Sequence, residues 1–183
     1  MSRDLDARLE ALARAADLAE GRLDDEAVGA ARAVVARAGA RLGLGVETTV
    51  VALAGPTGAG KSSLFNALTG AELARVAVRR PTTSSVAAAV RGDVDPALLE
   101  WLGVGTRHVL DGAGGGPATV LLDLPDYDSV REAHRLEAER VIELVDLLVW
   151  VVDPQKYADA ALHDGYLRRL SGHRNSMVVV LNQ

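Results

Sequence analysis

Apolar residues recur at intervals of three and four along the first 43 positions. Leu5, Leu9, Leu12, Ala16, Ala19 and Leu23 form one stripe, and Val28, Ala31, Val35, Ala38 and Leu42 form a second. This is the spacing of two amphipathic helices. Between them, Gly21 and the pair Asp24-Asp25 read as a stop and a fresh helix start, and Gly43-Leu44-Gly45 closes the second helix. The expected unit is an N-terminal α-helical hairpin over residues 1–45. Its stripes either pack on the domain that follows or serve self-association or a helical partner.

From residue 46 onward the period changes. Strands are expected at Thr48–Ala54, Ser85–Arg91, Ala118–Leu124, Leu147–Val152 and Met177–Leu181, with a short one over Arg107–Asp111 before the glycine turn Gly112–Gly116. Helices are expected at Lys61–Leu68, Pro96–Leu102, Ser129–Glu143 and Asp159–Leu170. Several of the strands are continuous β-branched or leucine runs, the mark of burial on both faces. Strands alternating with helices predict an α/β fold over 46–183, a doubly wound and mostly parallel sheet.

Composition narrows the picture. The 183 residues are 49% hydrophobic, enough for a packed domain and an appendage. The chain has no cysteine, which excludes disulfides and thiolate metal sites. A formal charge of −5 gives no direct signal for nucleic acid. The first twenty residues carry both signs of charge and lack the apolar centre of a signal peptide. The longest apolar run, Val141 to Val152, is broken by Glu143 and Asp146 and is too short to span a bilayer. The location expected is cytoplasmic. Attachment to the inner face of a membrane is left to parts of a longer protein absent from this chain. His108, His134, His163 and His173 show no ligand spacing and are read as surface or satisfied side chains.

Of the 20 basic residues only Lys61 and Lys156 are lysine, and Lys61 stands in the run Gly55-Pro56-Thr57-Gly58-Ala59-Gly60-Lys61-Ser62. This run matches G-x-x-x-x-G-K-[ST] between a predicted strand and a predicted helix, the context that the pattern requires. Glycines let backbone N–H groups turn toward phosphate oxygens. The helix beginning at Lys61 offers further N–H groups and the positive end of its dipole. Phosphate contacts are therefore expected from Gly55, Thr57, Gly58, Ala59, Gly60, Lys61, Ser62 and Ser63. Lys61 would place its charge at the β- and γ-phosphates, and the Ser62 hydroxyl would ligate Mg²⁺. The apolar run Val120–Leu122 ends in Asp123, placed to hold a magnesium-bound water opposite Ser62. Asp126 or Asp128 better suits a helix cap. Thr82 and Thr83 lie in a polar segment before a strand, where a threonine can bind Mg²⁺ through its hydroxyl and the γ-phosphate through its N–H. Arg79 and Arg80 read either as a γ-phosphate finger or as solvated arginines.

With these motifs in place, the stretch from Thr48 to Gln183 resembles translation-factor-class GTPases of the Era-like and bacterial dynamin-like kind. The motifs are Gly55–Ser62, Arg80-Pro81-Thr82-Thr83, Asp123-Leu124-Pro125-Asp126 and Leu181-Asn182-Gln183. The resemblance implies a G domain that binds GTP and GDP with Mg²⁺, hydrolyses GTP as a slow switch and uses Thr83 as the switch threonine. Mg²⁺ would be held through Ser62, Thr83 and Asp123. Asn182 fits the first position of an Asn-Lys-x-Asp guanine-reading motif; Gln183 replaces the lysine, and the sequence stops before the position of the specificity aspartate. The expectation is an N-terminal fragment of a longer protein, with guanine preference resting on resemblance. Asp126 replaces the glycine of Asp-x-x-Gly, and its carboxylate is expected to point away from the phosphate. Tyr127 stands where small signalling GTPases have a water-orienting glutamine. Gly58 replaces the asparagine of potassium-activated relatives, so no potassium requirement is expected. Trp150–Tyr157, with Asp153 and Lys156 near the rim of the site, resembles the equivalent strand and loop of the dynamin-like relatives, with a dimer face and an effector loop both open as its role. Two alternatives stay open: a nucleotide-gated dynamin-like scaffold with negligible turnover, and a P-loop ATPase.

Overall fold

Continuous apolar runs dictate the centre of the sheet. β1 (Thr49–Ala54), β4 (Thr119–Asp123) and β5 (Leu147–Val152) lie side by side and are buried on both faces over most of their length. The computed structural model describes residues 2–44, 47–74, 85–110, 116–126, 132–154 and 176–182. The chain divides into two compact units, Met1–Val46 and Glu47–Gln183.

The first unit is an antiparallel helical pair, α1 (Ser2–Ala19) and α2 (Asp25–Gly43). The turn passes through Gly21 at φ 68°, and the Leu23 N–H closes back on the Ala19 carbonyl at 3.0 Å. Asp24 is the N-cap residue of α2, but its side chain makes no capping bond. Asp25 and Glu26 instead place negative charge in the first turn. Arg32 on α2 reaches Asp17 at 3.1 Å and Glu20 at 2.9 Å across the pair, an exposed cluster of small energetic weight.

The second unit holds a six-stranded sheet in the order β3-β2-β4-β1-β5-β6. The remaining strands are β2 (Ala87–Arg91), β3 (Thr106–Val109) and β6 (Met177–Leu181), and the helices are α3 (Lys61–Thr69), α4 (Pro96–Trp101) and α5 (Glu132–Ile142). β1 pairs in parallel with β4 and β5, β5 with β6, and β2 with β3. The β2–β4 pairing is antiparallel, the single reversal within an otherwise parallel sheet of described strands. Expected and observed element ends differ by at most three residues, and β5 and β6 agree at both ends. The expected Asp159–Leu170 helix and most of the Gly112–Gly116 turn lie outside the described residues.

Packing fixes α3 onto the carboxyl end of the sheet. Leu53, Phe65 and Ala89 are buried together, with Leu64, Leu73 and Leu121 against them, so α3 is fastened to the sheet directly behind the glycine loop. Just before β5, the Asp146 carboxylate accepts a 2.8 Å bond from the Val50 N–H while its own N–H donates to the Val50 carbonyl at 2.9 Å, extending the β1–β5 ladder ahead of Leu147. Arg140 of α5 donates to the carbonyls of Trp101 and Leu102 at the end of α4.

At the head of the loop, Gly55 has φ 150°, and a Cβ there would run into the backbone carbonyl of Val151 on β5. Because that neighbour is sheet backbone and cannot swing aside, Gly55→Ala is expected to destabilise the domain by about 1–3 kcal/mol. Thermal or urea unfolding against the parent protein measures this.

Candidate functional site

Parallel strands deliver their carboxyl ends to one edge of a sheet, and here β1, β4 and β6 bring three sequence-distant segments together. β1 runs into the loop 55–60, β4 ends at Asp123, and β6 leads into Asn182. The loop enters α3 through Gly60 at φ 86°. The first turn-closing bond of α3 is Leu64 N–H to the Gly60 carbonyl at 2.9 Å. The amides of Lys61, Ser62 and Ser63 therefore stand ahead of the helix's own hydrogen-bond ladder, at the positive end of its dipole.

Lys61 is only 5% exposed. Its Nζ donates to the Gly55 carbonyl at 2.9 Å and the Pro56 carbonyl at 3.1 Å, and it forms an ion pair with Asp126 Oδ1 at 2.7 Å. An ammonium carries three protons, and all three are engaged. The expectation that the Asp126 side chain points away from the phosphate site is thus corrected. A buried cation without a bound anion requires a counter-charge, and the carboxylate three residues past the end of β4 supplies it.

Beside Lys61, the Ser62 hydroxyl donates to Asp123 Oδ2 at 2.8 Å. Asp123 is 1% exposed, and its other oxygen, Oδ1, has no hydrogen-bond partner among the described residues. Burial pushes the Asp123 carboxyl above the ordinary aspartate range. The Ser62 hydrogen bond and the Lys61 charge pull it back, and the nearby Asp126 charge adds to the rise. A buried carboxylate with an unused oxygen next to a serine hydroxyl fits a hard divalent cation such as Mg²⁺, which favours oxygen donors and keeps several of its waters.

Asn182 braces the loop from the far side. Its N–H donates to the Val152 carbonyl at 2.9 Å, and its Nδ2 donates to the Ala59 carbonyl at 3.1 Å. A Cβ on Gly60 would collide with this side chain, so a glycine at 60 permits the contact. The structure therefore brings together loop 55–60, Lys61, Ser62, Ser63, Asp123 and Asn182. Thr82, Thr83, Arg79, Arg80, Tyr127, Asp128 and Lys156 lie outside the described residues.

One contributor escaped sequence reasoning altogether. Asn66 on α3 accepts from the amides of Leu73 and Ala74 at 3.0 and 2.8 Å and donates to the Ala74 carbonyl at 2.8 Å. It clamps the chain that leaves α3. Its only sequence signal is an asparagine near a helix end, which is too common to be read.

A doubly wound sheet with this loop at the carboxyl end of its first strand defines a P-loop nucleotide-binding domain. The 50S ribosome-binding GTPase family model matches residues 50–183, and the chain belongs to that family. The matched stretch is its G domain. The chain is 34% identical over 152 residues to the tRNA modification GTPase MnmE of Halorhodospira halophila, covering 80% of this chain and 28% of that protein. It is 35% identical over 104 residues to a probable tRNA modification GTPase MnmE of Cyanidioschyzon merolae, covering 56% of this chain and 19% of that protein. The chain thus spans less than a third of the length of either relative. The crystal structure of Aquifex aeolicus Era bound to GDP·AlF4⁻ superposes with a TM-score of 0.57 at 17% identity, over 75% of this chain and 41% of that one, a likeness of fold.

The raised Asp123 carboxyl has a consequence for stability. The folded state holds this proton more tightly than the unfolded chain does. Metal-free stability is therefore expected to fall as pH rises from the ordinary aspartate range through the raised value, and to stay reduced above it. Asp123→Asn keeps an oxygen for Ser62 but removes the buried charge. It is expected to raise the metal-free melting temperature at neutral pH by a few degrees and to abolish any stabilisation by added Mg²⁺. Melting curves of parent and variant with and without Mg²⁺ check both effects.

Proposed function

We propose that this chain binds GTP with Mg²⁺ in the loop 55–62 and hydrolyses it slowly to GDP and phosphate, with nucleotide state read out by the segments around Asp123 and Thr83. The observation that carries the reading is the convergence of a buried ammonium, the Ser62 hydroxyl and a buried carboxylate with a free oxygen at the mouth of the glycine loop. Ser62 and Asp123, joined by Thr83, would hold Mg²⁺, which when bound neutralises charge on the β- and γ-phosphate oxygens.

The chain's own groups supply the rest. Amides of Gly58, Ala59, Gly60, Lys61 and Ser62 take the phosphate oxygens as hydrogen-bond acceptors, and the helix dipole of α3 favours their charge. The Lys61 ammonium, fixed by its buried surroundings, meets charge that accumulates as the γ-phosphate leaves. It needs no reorganisation beyond exchanging one acceptor for another. Asn182 keeps the loop in shape through Ala59 and would contribute to reading the guanine base. Rates on the order of 10⁻⁴ to 10⁻² per second are expected without an activating partner. What the relatives' names say of tRNA and ribosomes concerns those proteins.

Lys61→Ala tests the reading. The removed charge serves the ligand, so GTP affinity is expected to fall about a hundredfold, with hydrolysis lost and the fold retained. Calorimetric titration with GTP, GDP and ATP in magnesium, paired with single-turnover phosphate release, makes the measurement. Unchanged affinity and hydrolysis in this variant would remove Lys61 from the mechanism, and tighter binding of ATP than of GTP would replace the guanine assignment.

A further inference from the structure

The Lys61 ammonium has no proton to spare for a phosphate. Each of its three donors already has an acceptor: two loop carbonyls and the Asp126 carboxylate. Any nucleotide that uses this lysine must displace at least one of them. The carbonyls of Gly55 and Pro56 belong to the buried start of the loop, where both residues are enclosed and Gly55 is wedged against β5. Asp126 differs in every respect. It is the one charged acceptor, it is 21% exposed where Lys61 is 5% exposed, and it hangs on the irregular segment that leaves β4. It can be exchanged without disturbing the loop, and a phosphate oxygen taking its place restores the same charge pairing.

The direction of approach matters too. Asp126 reaches Lys61 from the end of β4, the side on which Asp123 and Ser62 face each other and a metal-bound terminal phosphate would sit. The β-phosphate, by contrast, lies within the amide cradle of the loop. A diphosphate can therefore occupy the cradle, its β-phosphate accepting the ammonium N–H of one loop carbonyl in that carbonyl's place, while Asp126 stays on the lysine. A triphosphate brings a further anion to the position that the carboxylate holds.

We infer that Asp126 is a specificity-determining residue that stands in for the γ-phosphate, so that the site favours a nucleoside diphosphate and admits a triphosphate only when Asp126 is displaced from Lys61. This rests on the functional reading above and deepens it. The carboxylate sets a threshold on entry to the triphosphate state. After hydrolysis it returns to the lysine as phosphate departs, which ties the chain beyond β4 to the loss of the γ-phosphate through one ion pair. No such threshold exists where this position is a glycine, because a glycine has no side chain to compete for the ammonium.

The test compares the full-length protein with Asp126→Asn and Asp126→Gly. Fluorescent GDP and a fluorescent non-hydrolysable GTP analogue are titrated in excess Mg²⁺, and a melting curve of each variant confirms folding. The asparagine keeps the shape and removes the charge, so it decides the matter should the glycine variant unfold. The expected result is that both substitutions tighten the triphosphate analogue about tenfold and change GDP affinity by less than about threefold. An equal shift for the two nucleotides, or weaker triphosphate binding in either folded variant, overturns the role of Asp126 while leaving the GTP site in place. Failure of the parent and both variants to bind either nucleotide overturns the site itself, and the inference with it.

Discussion

A lysine ammonium enclosed at the edge of a sheet constrains everything around it. Lys61 is buried almost completely, and an uncompensated charge in such a place would cost several kcal/mol. The loop meets this by turning the carbonyls of Gly55 and Pro56 toward the ammonium, and the segment after β4 by sending in Asp126. The glycines, the helix that opens at Lys61 and the tight seat of Gly55 against β5 are all geometric conditions for holding that one cation where phosphate can meet it.

Two carboxylates share the neighbourhood and differ in role because their surroundings differ. Asp123 terminates a central strand and is sealed from solvent, with one oxygen on Ser62 and the other unused. Its burial raises its proton affinity, which suits a group awaiting a cation. Asp126, three residues on and partly exposed, is paired with Lys61. The first is oriented for a metal and the second against a charge of its own sign, so an incoming Mg·nucleotide is drawn by one and opposed by the other.

Much of the fold was legible because its signals are local. The three-four spacing of leucines and valines marked α1 and α2, and the unbroken apolar runs marked β1, β4, β5 and β6 to within a residue or two. The glycine loop was legible because only a narrow set of residues can wrap a backbone around an anion. Local pattern carried no information on strand order, or on β2 lying antiparallel to β4. Both depend on which edge of the sheet offers a free ladder once the central strands have paired. Asn66 and Asp146 were invisible for the same reason. Their partners are backbone groups, which have no residue identity to read.

By itself, the sequence determined the class of chemistry: a Gly-Lys-Ser loop between strand and helix, an aspartate closing an apolar strand, and an asparagine after the last one. These are matters of residue type at fixed spacing along a chain whose local geometry follows from it. Only the tertiary structure decided where the Asp126 carboxylate goes. Repulsion from a phosphate, reasoned from sequence, directed it outward. The folded chain draws it inward instead, because burying Lys61 creates a demand for negative charge that this partly exposed carboxylate satisfies. That demand exists only once the sheet has closed around the lysine, 65 residues away in sequence.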